Sequence, residues 1–155
     1  MIEGIERIRL EVFEDERGWF SEIRRDSALP KPMVQTNLSF SRAGVVRGLH
    51  YHERGQDDLF TCLRGTARVV VLDRDSGETF TEDIGDENRV GIYVPGRHAH
   101  GFEALTDVLF CYHVTAEYDS SDPDELTIPW NDPRVAHLWQ TTEPILSARD
   151  ATVAS

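Results

Sequence analysis

Short strand-like segments, separated by turn residues, follow one another through the first 130 residues of this chain. Apolar and polar side chains alternate within them, as in the run that contains Ile8, Leu10 and Val12, and this is the pattern of a half-buried strand. No segment before residue 130 keeps the 3.6-residue period of an amphipathic helix. Many short strands at close spacing predict an all-β sandwich or barrel. The predicted strands cover residues 5–13, 34–41, 45–52, 59–63, 67–73, 79–84, 89–94, 101–105 and 108–115.

Turns and one helix complete the predicted secondary structure. Residues 14–18 are polar and glycine-terminated, and they separate the first strand from one that resumes at Trp19, which predicts a hairpin. Residues 24–32 are polar and end in two prolines, so we expect a loop or a short helix there. The helix signal covers residues 132–139, where Asp132 can act as N-cap and a proline takes the first helical position.

Composition and charge restrict the class of protein. The 155 residues are expected to form one domain, spanning 1–155. A formal net charge of -12 argues against a nucleic-acid or membrane partner, because no basic excess is available to neutralise phosphates. Cys62 and Cys111 lie in apolar runs without metal or redox spacing, which indicates core thiols in a reducing compartment. No leader-like or membrane-spanning segment is apparent, so we expect a cytoplasmic protein.

Two histidines separated by one residue suggest a metal site. His50 and His52 project to the same face if the strand stays extended, because strand side chains alternate. With Asp58 and His100 they could supply three imidazoles and a carboxylate to a divalent ion. This pattern resembles the metal-binding motifs of the cupin superfamily, although the acidic residue there is usually a glutamate nearer to the second histidine. The alternative is a set of polar residues that line the mouth of a barrel.

A longer resemblance covers nearly the whole chain. It depends on blocks in a fixed order, Phe13-x-Asp15-x-Arg17-Gly18-x-Phe20-x-Glu22, Gln35-Thr36-Asn37, Gly44-Val45-Val46-Arg47-Gly48-Leu49-His50-Tyr51, Ala99-His100-Gly101-Phe102, Trp130-Asn131-Asp132-Pro133 and Leu146-Ser147-x-x-Asp150. These blocks resemble the dTDP-4-dehydrorhamnose 3,5-epimerase family. The resemblance implies an all-β, cupin-type double-stranded β-helix (jelly roll), here with a short C-terminal helix, that works without a metal or organic cofactor.

The resemblance also implies an activity, the epimerisation of a nucleotide-linked 4-keto-6-deoxy sugar at C3, C5 or both. A hydrogen beside the C4 ketone is acidic because its loss gives an enolate, and histidine is a base that works near neutral pH. His50 matches the family's catalytic base, and Asp150 matches the carboxylate that orients its ring. Tyr112 matches the acid that returns a proton to the opposite face of the sugar.

Binding residues follow from the same resemblance. Arg17 and Arg47 match positions that hold the diphosphate, whose oxygens suit guanidinium groups. His100 is expected near the keto oxygen. In the family the arginine turn reaches into the site of a partner subunit, so we expect a homodimer with a dTDP-linked sugar as its ligand. The predicted binding set is Arg17, Phe20, Glu22, Gln35, Asn37, Arg47, His52, Asp58, His100 and Tyr118.

The chain departs from the family pattern at three positions. Asp58 stands where the family commonly has a lysine that stabilises the enolate oxygen, and a carboxylate there would repel that oxygen. His52 replaces a frequent glutamine, and a protonated His52 paired with Asp58 would restore the charge balance. Arg97 replaces an expected glycine.

Three alternatives to an epimerase remain open from the sequence. The first is a metal-dependent cupin enzyme that uses His50, His52, Asp58 and His100. The second is a relative that binds sugar nucleotides without catalysis, and the third is a sugar-nucleotide ketoisomerase on the same scaffold. Presence of His50, Tyr112 and Asp150 together favours chemistry over binding alone.

Overall fold

The computed structural model describes residues 1–155 and shows two β-sheets packed face to face. Two 3₁₀ turns, Asp26–Ala28 and Ala136–Leu138, and one α-helix, α1 (Ala148–Ala154), accompany the strands. The strands are β1 (Glu6–Arg9), β2 (Val12–Asp15), β3 (Gly18–Ser21), β4 (Gln35–Ser41), β5 (Val46–Tyr51), β6 (Asp57–Arg64), β7 (Thr66–Leu72), β8 (Thr79–Gly85), β9 (Val90–Pro95), β10 (Ala99–Ala104), β11 (Val108–Val114) and β12 (Leu126–Thr127).

Strand order confirms the predicted fold class. The first sheet has the order β1-β9-β6-β11-β4 and the second the order β12-β5-β10-β7-β8, while β2 and β3 form a separate hairpin. Every pairing is antiparallel. From β4 to β12 the chain crosses between the sheets at every step except β7–β8. This winding is the cupin-type jelly roll that the sequence predicted.

The main core lies between the two sheets. Val69 and Val71 of β7 belong to one apolar cluster with Ile92 of β9 and Phe110 of β11, and none of these four side chains is exposed. Each such side chain stabilises the fold by roughly 1.5–3 kcal/mol relative to an exposed position. The apolar residues that alternate along the strands are therefore buried between the two sheets, and this burial stabilises their packing.

A second apolar cluster lies on the outer face of the second sheet. Val70 and Leu72 point to that face and are covered by Trp139 from the C-terminal segment. The buried carboxylate of Glu103 anchors the same segment, because it accepts hydrogen bonds from the backbone N–H groups of residues 140 and 141 at 2.7 and 2.9 Å. The strand β7 is almost continuously apolar because both of its faces are buried.

The predicted helix over residues 132–139 is wrong. This segment contains only the 3₁₀ turn at Ala136–Leu138. Asp132 does accept a hydrogen bond from the backbone N–H of Arg134 at 3.0 Å, as a cap would, but Trp139 is already extended, with φ −76° and ψ 147°. Burial of the Trp139 indole against the second sheet outweighs the local helix signal. The short C-terminal helix is α1, which begins nine residues later.

The predicted first strand, residues 5–13, is in fact two strands in different sheets. β1 pairs with β9, whereas β2 pairs with β3 in the hairpin. Leu10 lies between them, buried, and its backbone N–H donates to the carbonyl of Arg89 at 2.9 Å. Alternation of apolar residues continues through the break, so it conceals the change of partner. The predicted hairpin is confirmed for β2–β3.

The two cysteines are free and buried, as the sequence predicted. Burial raises the pKa of the Cys62 thiol to about 11, so this thiol stays protonated near neutral pH. None of the helices has both the length and the apolar character needed to cross a membrane.

Replacement of Gly101 by alanine is expected to destabilise the protein by about 1–3 kcal/mol. A Cβ atom at this position would lie 2.3 Å from the carbonyl oxygen of Arg47, where β10 and β5 approach each other, and backbone cannot move aside cheaply. Gly91→Ala is the control, because its Cβ would meet the ends of two side chains at 3.2 and 3.4 Å and would stay 3.6 Å from the nearest backbone atom, the carbonyl oxygen of Phe60. Urea unfolding measures both variants. Equal loss of stability in the two would contradict the close approach of β10 and β5.

Candidate active site

A cavity of about 780 Å³ lies between the sheets and is lined by side chains of β4, β5, β6, β10 and β11. Residues 116–119 and 122–125 and the segment 145–150 close its sides. Its volume is within the range of small-molecule sites. The three predicted catalytic residues, His50, Tyr112 and Asp150, all line this cavity.

His50 and Asp150 form a hydrogen-bonded pair at the cavity wall. Nε2 of His50 lies 3.0 Å from Oδ1 of Asp150, and the backbone N–H of Gly48 donates to the other carboxylate oxygen at 3.3 Å. Asp150 is 3% exposed and lies in the first turn of α1, where its backbone N–H donates to Ser147 Oγ at 3.1 Å. Burial by itself would raise the pKa of Asp150, but the hydrogen bond to His50, the Gly48 N–H and the nearby Arg149 lower it overall. The carboxylate is therefore charged and holds the ring in place.

Glu125 and Arg149 also contact His50, and the sequence reasoning missed both. Oε1 of Glu125 lies 3.5 Å from Nδ1 of His50, and Nη2 of Arg149 lies 2.9 Å from Nε2. A ring nitrogen carries either a hydrogen or a lone pair, so Nε2 donates to Asp150 or accepts from Arg149, but not both. The two carboxylates stabilise a positive charge on the ring, whereas Arg149 opposes it. Adjacency to Asp150 could have indicated Arg149; Glu125 lies in an acidic stretch where no pattern distinguishes it.

Tyr112 approaches the cavity from β11, in the opposite sheet to His50. Its ring meets Phe60 edge-on, with centroids 6.4 Å apart. Burial raises the pKa of the Tyr112 phenol, and the carboxylates of Asp58 and Glu125 raise it further. The phenol is therefore protonated near neutral pH and has a hydrogen to donate.

Seven of the ten predicted binding residues line the same cavity. Gln35 links two of them, because its side-chain N–H donates to Asn37 Oδ1 and its oxygen accepts from the backbone N–H of Tyr118, both at 2.9 Å. Nε of Arg47 donates to Ser41 Oγ at 2.9 Å, which fixes the guanidinium at the cavity wall. The seven are Gln35, Asn37, Arg47, His52, Asp58, His100 and Tyr118.

The other three predicted binding residues lie outside the cavity of their own chain. Arg17, in the turn between β2 and β3, pairs with Asp15 of the same hairpin. Phe20 is 66% exposed, and Glu22 pairs with Arg25. A single chain therefore does not bring this hairpin to the substrate site.

The four-residue metal set is wrong at one position. His52, Asp58 and His100 come together in a buried cluster, with ligand atoms within 4.8 Å of one another, but His50 is not part of it. His50 instead faces Asp150 and Glu125. His50, in β5, and His52, just after it, therefore contact different partners.

Charge in this cluster also differs from the prediction. Burial lowers the pKa of His52, and the charge of His100 lowers it further, against the opposing effect of Asp58. Burial alone would lower the pKa of His100 as well, but Asp58 outweighs it and the pKa is raised. For Asp58, burial would raise the pKa, yet the two histidines lower it overall. His100, rather than His52, is therefore the positive partner of Asp58.

Comparison with known proteins now decides the family. The sequence profile of dTDP-4-dehydrorhamnose 3,5-epimerase matches residues 1–155. The chain belongs to the dTDP-4-dehydrorhamnose 3,5-epimerase family. The relatives named below as 3,5-epimerases are isomerases that act on sugar nucleotides, which confirms the predicted class of enzyme.

Individual members of the family agree with this assignment. The spore coat polysaccharide biosynthesis protein SpsL of Bacillus subtilis is 36% identical over 149 residues, covering 91% of this chain and 98% of that protein. The dTDP-4-dehydrorhamnose 3,5-epimerase of Escherichia coli is 35% identical over 163 residues, covering 96% and 88%. The crystal structure of the 3,5-epimerase from Legionella pneumophila, in complex with dTDP-4-keto-L-rhamnose, has a TM-score of 0.87 at 30% identity and covers 97% of this chain and 87% of that one. These relatives favour an epimerase over a metal-dependent cupin enzyme of another class.

Proposed function

We propose that this protein inverts C3, C5 or both of a dTDP-linked 4-keto-6-deoxy sugar, with His50 as base and Tyr112 as acid. The observation that carries the proposal is the position of these two side chains on opposite sheets, facing one cavity. Inversion requires a proton to leave one face of the sugar and another to arrive on the opposite face. The ligand of the Legionella pneumophila relative, dTDP-4-keto-L-rhamnose, supports this class of substrate.

Proton abstraction begins the proposed reaction. His50 removes the hydrogen from a carbon beside the C4 ketone, and the electron pair moves to the carbonyl oxygen to form an enolate. Asp150 stabilises the charged ring that results, since its own charge is maintained by the contacts of its buried carboxylate. The Tyr112 phenol then gives its hydrogen to the same carbon from the other face, which inverts the centre. Groups positioned in this way typically contribute about 10²–10⁴-fold each.

Arginines give the cavity its affinity for a diphosphate. The protein carries a net charge of -12, so an anionic substrate needs local positive charge. Arg47, Arg54 and Arg149 line the cavity. Arg54 and Arg149 are each paired with carboxylates, so Arg47 is the one that is free to provide it. Of these, Arg47 is held by Ser41, and its guanidinium geometry suits phosphate oxygens. Tyr118, which is largely exposed at the rim, offers a ring to the nucleotide base.

The enolate oxygen also needs a positive charge nearby. Asp58 stands where members of the family commonly have a lysine, so the lysine's role has to be taken by another group. The cluster of His52, Asp58 and His100 lies in the same cavity as His50 and Tyr112. We assign the lysine's role to this cluster, in which His100 is the positive group.

A homodimer would complete the site. The hairpin β2–β3 exposes Phe13, Trp19 and Phe20, and the edge strand β4 exposes Leu38 and Phe40 on the face that points away from the cavity. Two sets of exposed apolar side chains, one on the hairpin and one on β4, are typical of an interface. A second copy of this chain is the proposed occupant, and its hairpin would bring Arg17 and Phe20 to the neighbouring site.

His50→Ala is expected to abolish exchange of the sugar H3 and H5 protons with solvent, because the base is lost, while dTDP still binds. Proton NMR of dTDP-4-keto-6-deoxyglucose in deuterated water measures the exchange, and calorimetry measures the binding. His137→Ala, which removes an exposed histidine far from the cavity, should exchange like the wild type. Exchange retained by His50→Ala would remove His50 from the role of base. Migration of the carbonyl in the wild type, without inversion, would indicate the ketoisomerase.

Tyr112→Phe is expected to allow exchange at one face and to lower inversion by about 10²–10⁴-fold, since the proton donor is absent but the base remains. The ratio of exchanged to inverted sugar in the same NMR experiment is the relevant quantity. Tyr51→Phe serves as control, because Tyr51 stacks with Arg74 outside the cavity. Inversion at the wild-type rate in Tyr112→Phe would disprove the assignment of the acid.

Phe40→Glu is expected to convert a dimer into a monomer, because a carboxylate in an apolar interface loses its water without gaining a partner. Light scattering after size-exclusion chromatography gives the mass. Thr81→Glu adds the same charge on an exposed position of β8 and should leave the dimer intact. A wild-type mass of one chain, near 17.6 kDa, would exclude the dimer.

A further inference from the structure

A buried cluster of His52, Asp58 and His100 opens into the cavity but shares no hydrogen bond or ion pair with the His50–Asp150 pair. Its members come from the residue that follows β5, from β6 and from β10, so both sheets are needed to assemble it. Their exposed fractions are 5%, 4% and 2%. Two imidazoles and a carboxylate are a common donor set for divalent transition metals.

Backbone carbonyls orient both rings. Nδ1 of His52 makes a short contact with the carbonyl oxygen of Asp124, and Nδ1 of His100 lies 2.8 Å from that of His98. A carbonyl oxygen can only accept, so each Nδ1 carries a hydrogen, and in the neutral ring Nε2 carries the lone pair. It is Nε2 of each ring that faces Asp58. Metal-binding histidines are commonly held in this tautomer by backbone carbonyls.

The spacing of the three ligand atoms fits a shared cation better than direct hydrogen bonds. Nε2 of His52 lies 3.6 Å from one oxygen of Asp58, and Nε2 of His100 lies 3.4 Å from the other. Both distances exceed the 2.7–3.2 Å of ordinary N–H···O bonds. Two ligands about 2.05 Å from a zinc ion at the tetrahedral angle lie about 3.3 Å apart. These two separations, to opposite oxygens of the Asp58 carboxylate, are therefore close to the spacing of two ligands around one ion, and one ligand atom from each residue lies within 4.8 Å of the others.

Apart from the two histidines, no cationic side chain pairs with Asp58. Its ion-pair partners are the two histidines, and its hydrogen-bond donor is the side chain of Gln56, at 2.9 Å. The same amide nitrogen lies 3.2 Å from Nε2 of His52, in agreement with a lone pair on that atom. Burial of a carboxylate is costly without a nearby positive charge. A cation would compete only with this one amide and with a proton on His100.

We propose that His52, Asp58 and His100 bind one divalent first-row metal ion of the zinc or iron(II) class, without His50. Three protein ligands would leave coordination positions free, and the three residues themselves line the substrate cavity. The site is thus a cation centre within an epimerase pocket and does not replace the base and acid.

The role of this cation in catalysis rests on the proposed function. His100 is the register partner of His50 between β10 and β5, and Tyr112 is the partner of Phe60 beside Asp58 in β6. The cluster therefore lies among the strands that carry the base and the acid. A metal ion held there would stabilise the enolate oxygen as a Lewis acid, which is the role of the family's lysine at the position of Asp58.

Titration of chelator-treated protein with Co²⁺ tests the site without any substrate. We expect one Co²⁺ per chain, with visible absorption from a site of low coordination number and with competition by Zn²⁺. Asp58→Asn and His52→Gln should each weaken binding by roughly 100-fold, since each removes a ligand. His98→Gln is the matched control, because His98 is a buried histidine next to the cluster that contacts Glu3 and Asp73 instead. Thermal unfolding of each variant shows that the fold is retained.

The variants separate the possible results. Binding that is lost in Asp58→Asn but kept in His98→Gln and His50→Asn supports the three-residue site. No Co²⁺ binding, or equal binding by wild type and Asp58→Asn, would overturn it and leave an Asp58–His100 ion pair. Loss of binding in His50→Asn to the same extent would overturn it in favour of four ligands.

Proton exchange with and without metal tests the catalytic role separately. We expect chelation to reduce exchange by about 100-fold or more and Zn²⁺ or Fe²⁺ to restore it. Exchange that is unaffected by chelation, yet abolished in His50→Ala, would overturn the role of the cation while the epimerase proposal stands. Metal binding with no exchange under either condition would support the metal site and contradict the proposed substrate.

Discussion

The hydrogen bond between Asp150 and His50 joins the last helix to a strand 100 residues earlier, and the candidate site depends on it. This contact exists because the C-terminal segment crosses the outer face of the second sheet. Trp139 packs there against β7 and β5 residues, and Glu103 fixes the backbone that follows. Burial of apolar side chains on the outer face of the second sheet thus positions the Asp150 carboxylate at the edge of the cavity. The same packing therefore stabilises the fold and positions a residue of the candidate site.

Charge in the cavity follows from two opposing needs. A protein with a net charge of -12 repels an anionic ligand in general, and of the three arginines that line the cavity only Arg47 has no carboxylate partner. The same cavity contains Asp58 and Glu125, which hold neighbouring groups in defined charge states. Asp58 in place of the family's lysine would, by itself, make the charge balance of the cavity unfavourable. His100, brought against the carboxylate by β10, restores it, and together with His52, which follows β5, it creates a metal-like donor set.

Much of the fold was predictable because it depends on local alternation of apolar and polar residues. Nearly every predicted strand is present, since each must bury one face against the other sheet. Failures occurred where distant contacts decided the backbone. The segment 132–139 has a good helix start, but burial of Trp139 makes it extended, and Leu10 ends β1 without any break in the pattern. Such competition between local and distant contacts cannot be read from a short window.

By itself the sequence determined the fold class, the family blocks and the identity of His50, Tyr112 and Asp150 as candidates, because these depend on residue type and order. Only the tertiary structure decided which of them meet. It joined His50 to Asp150, Glu125 and Arg149, separated it from His52, and left the hairpin with Arg17 outside the cavity. The reason is geometric: ligand and proton-transfer contacts require atoms within a few ångströms, and strand pairing across the two sheets sets those distances.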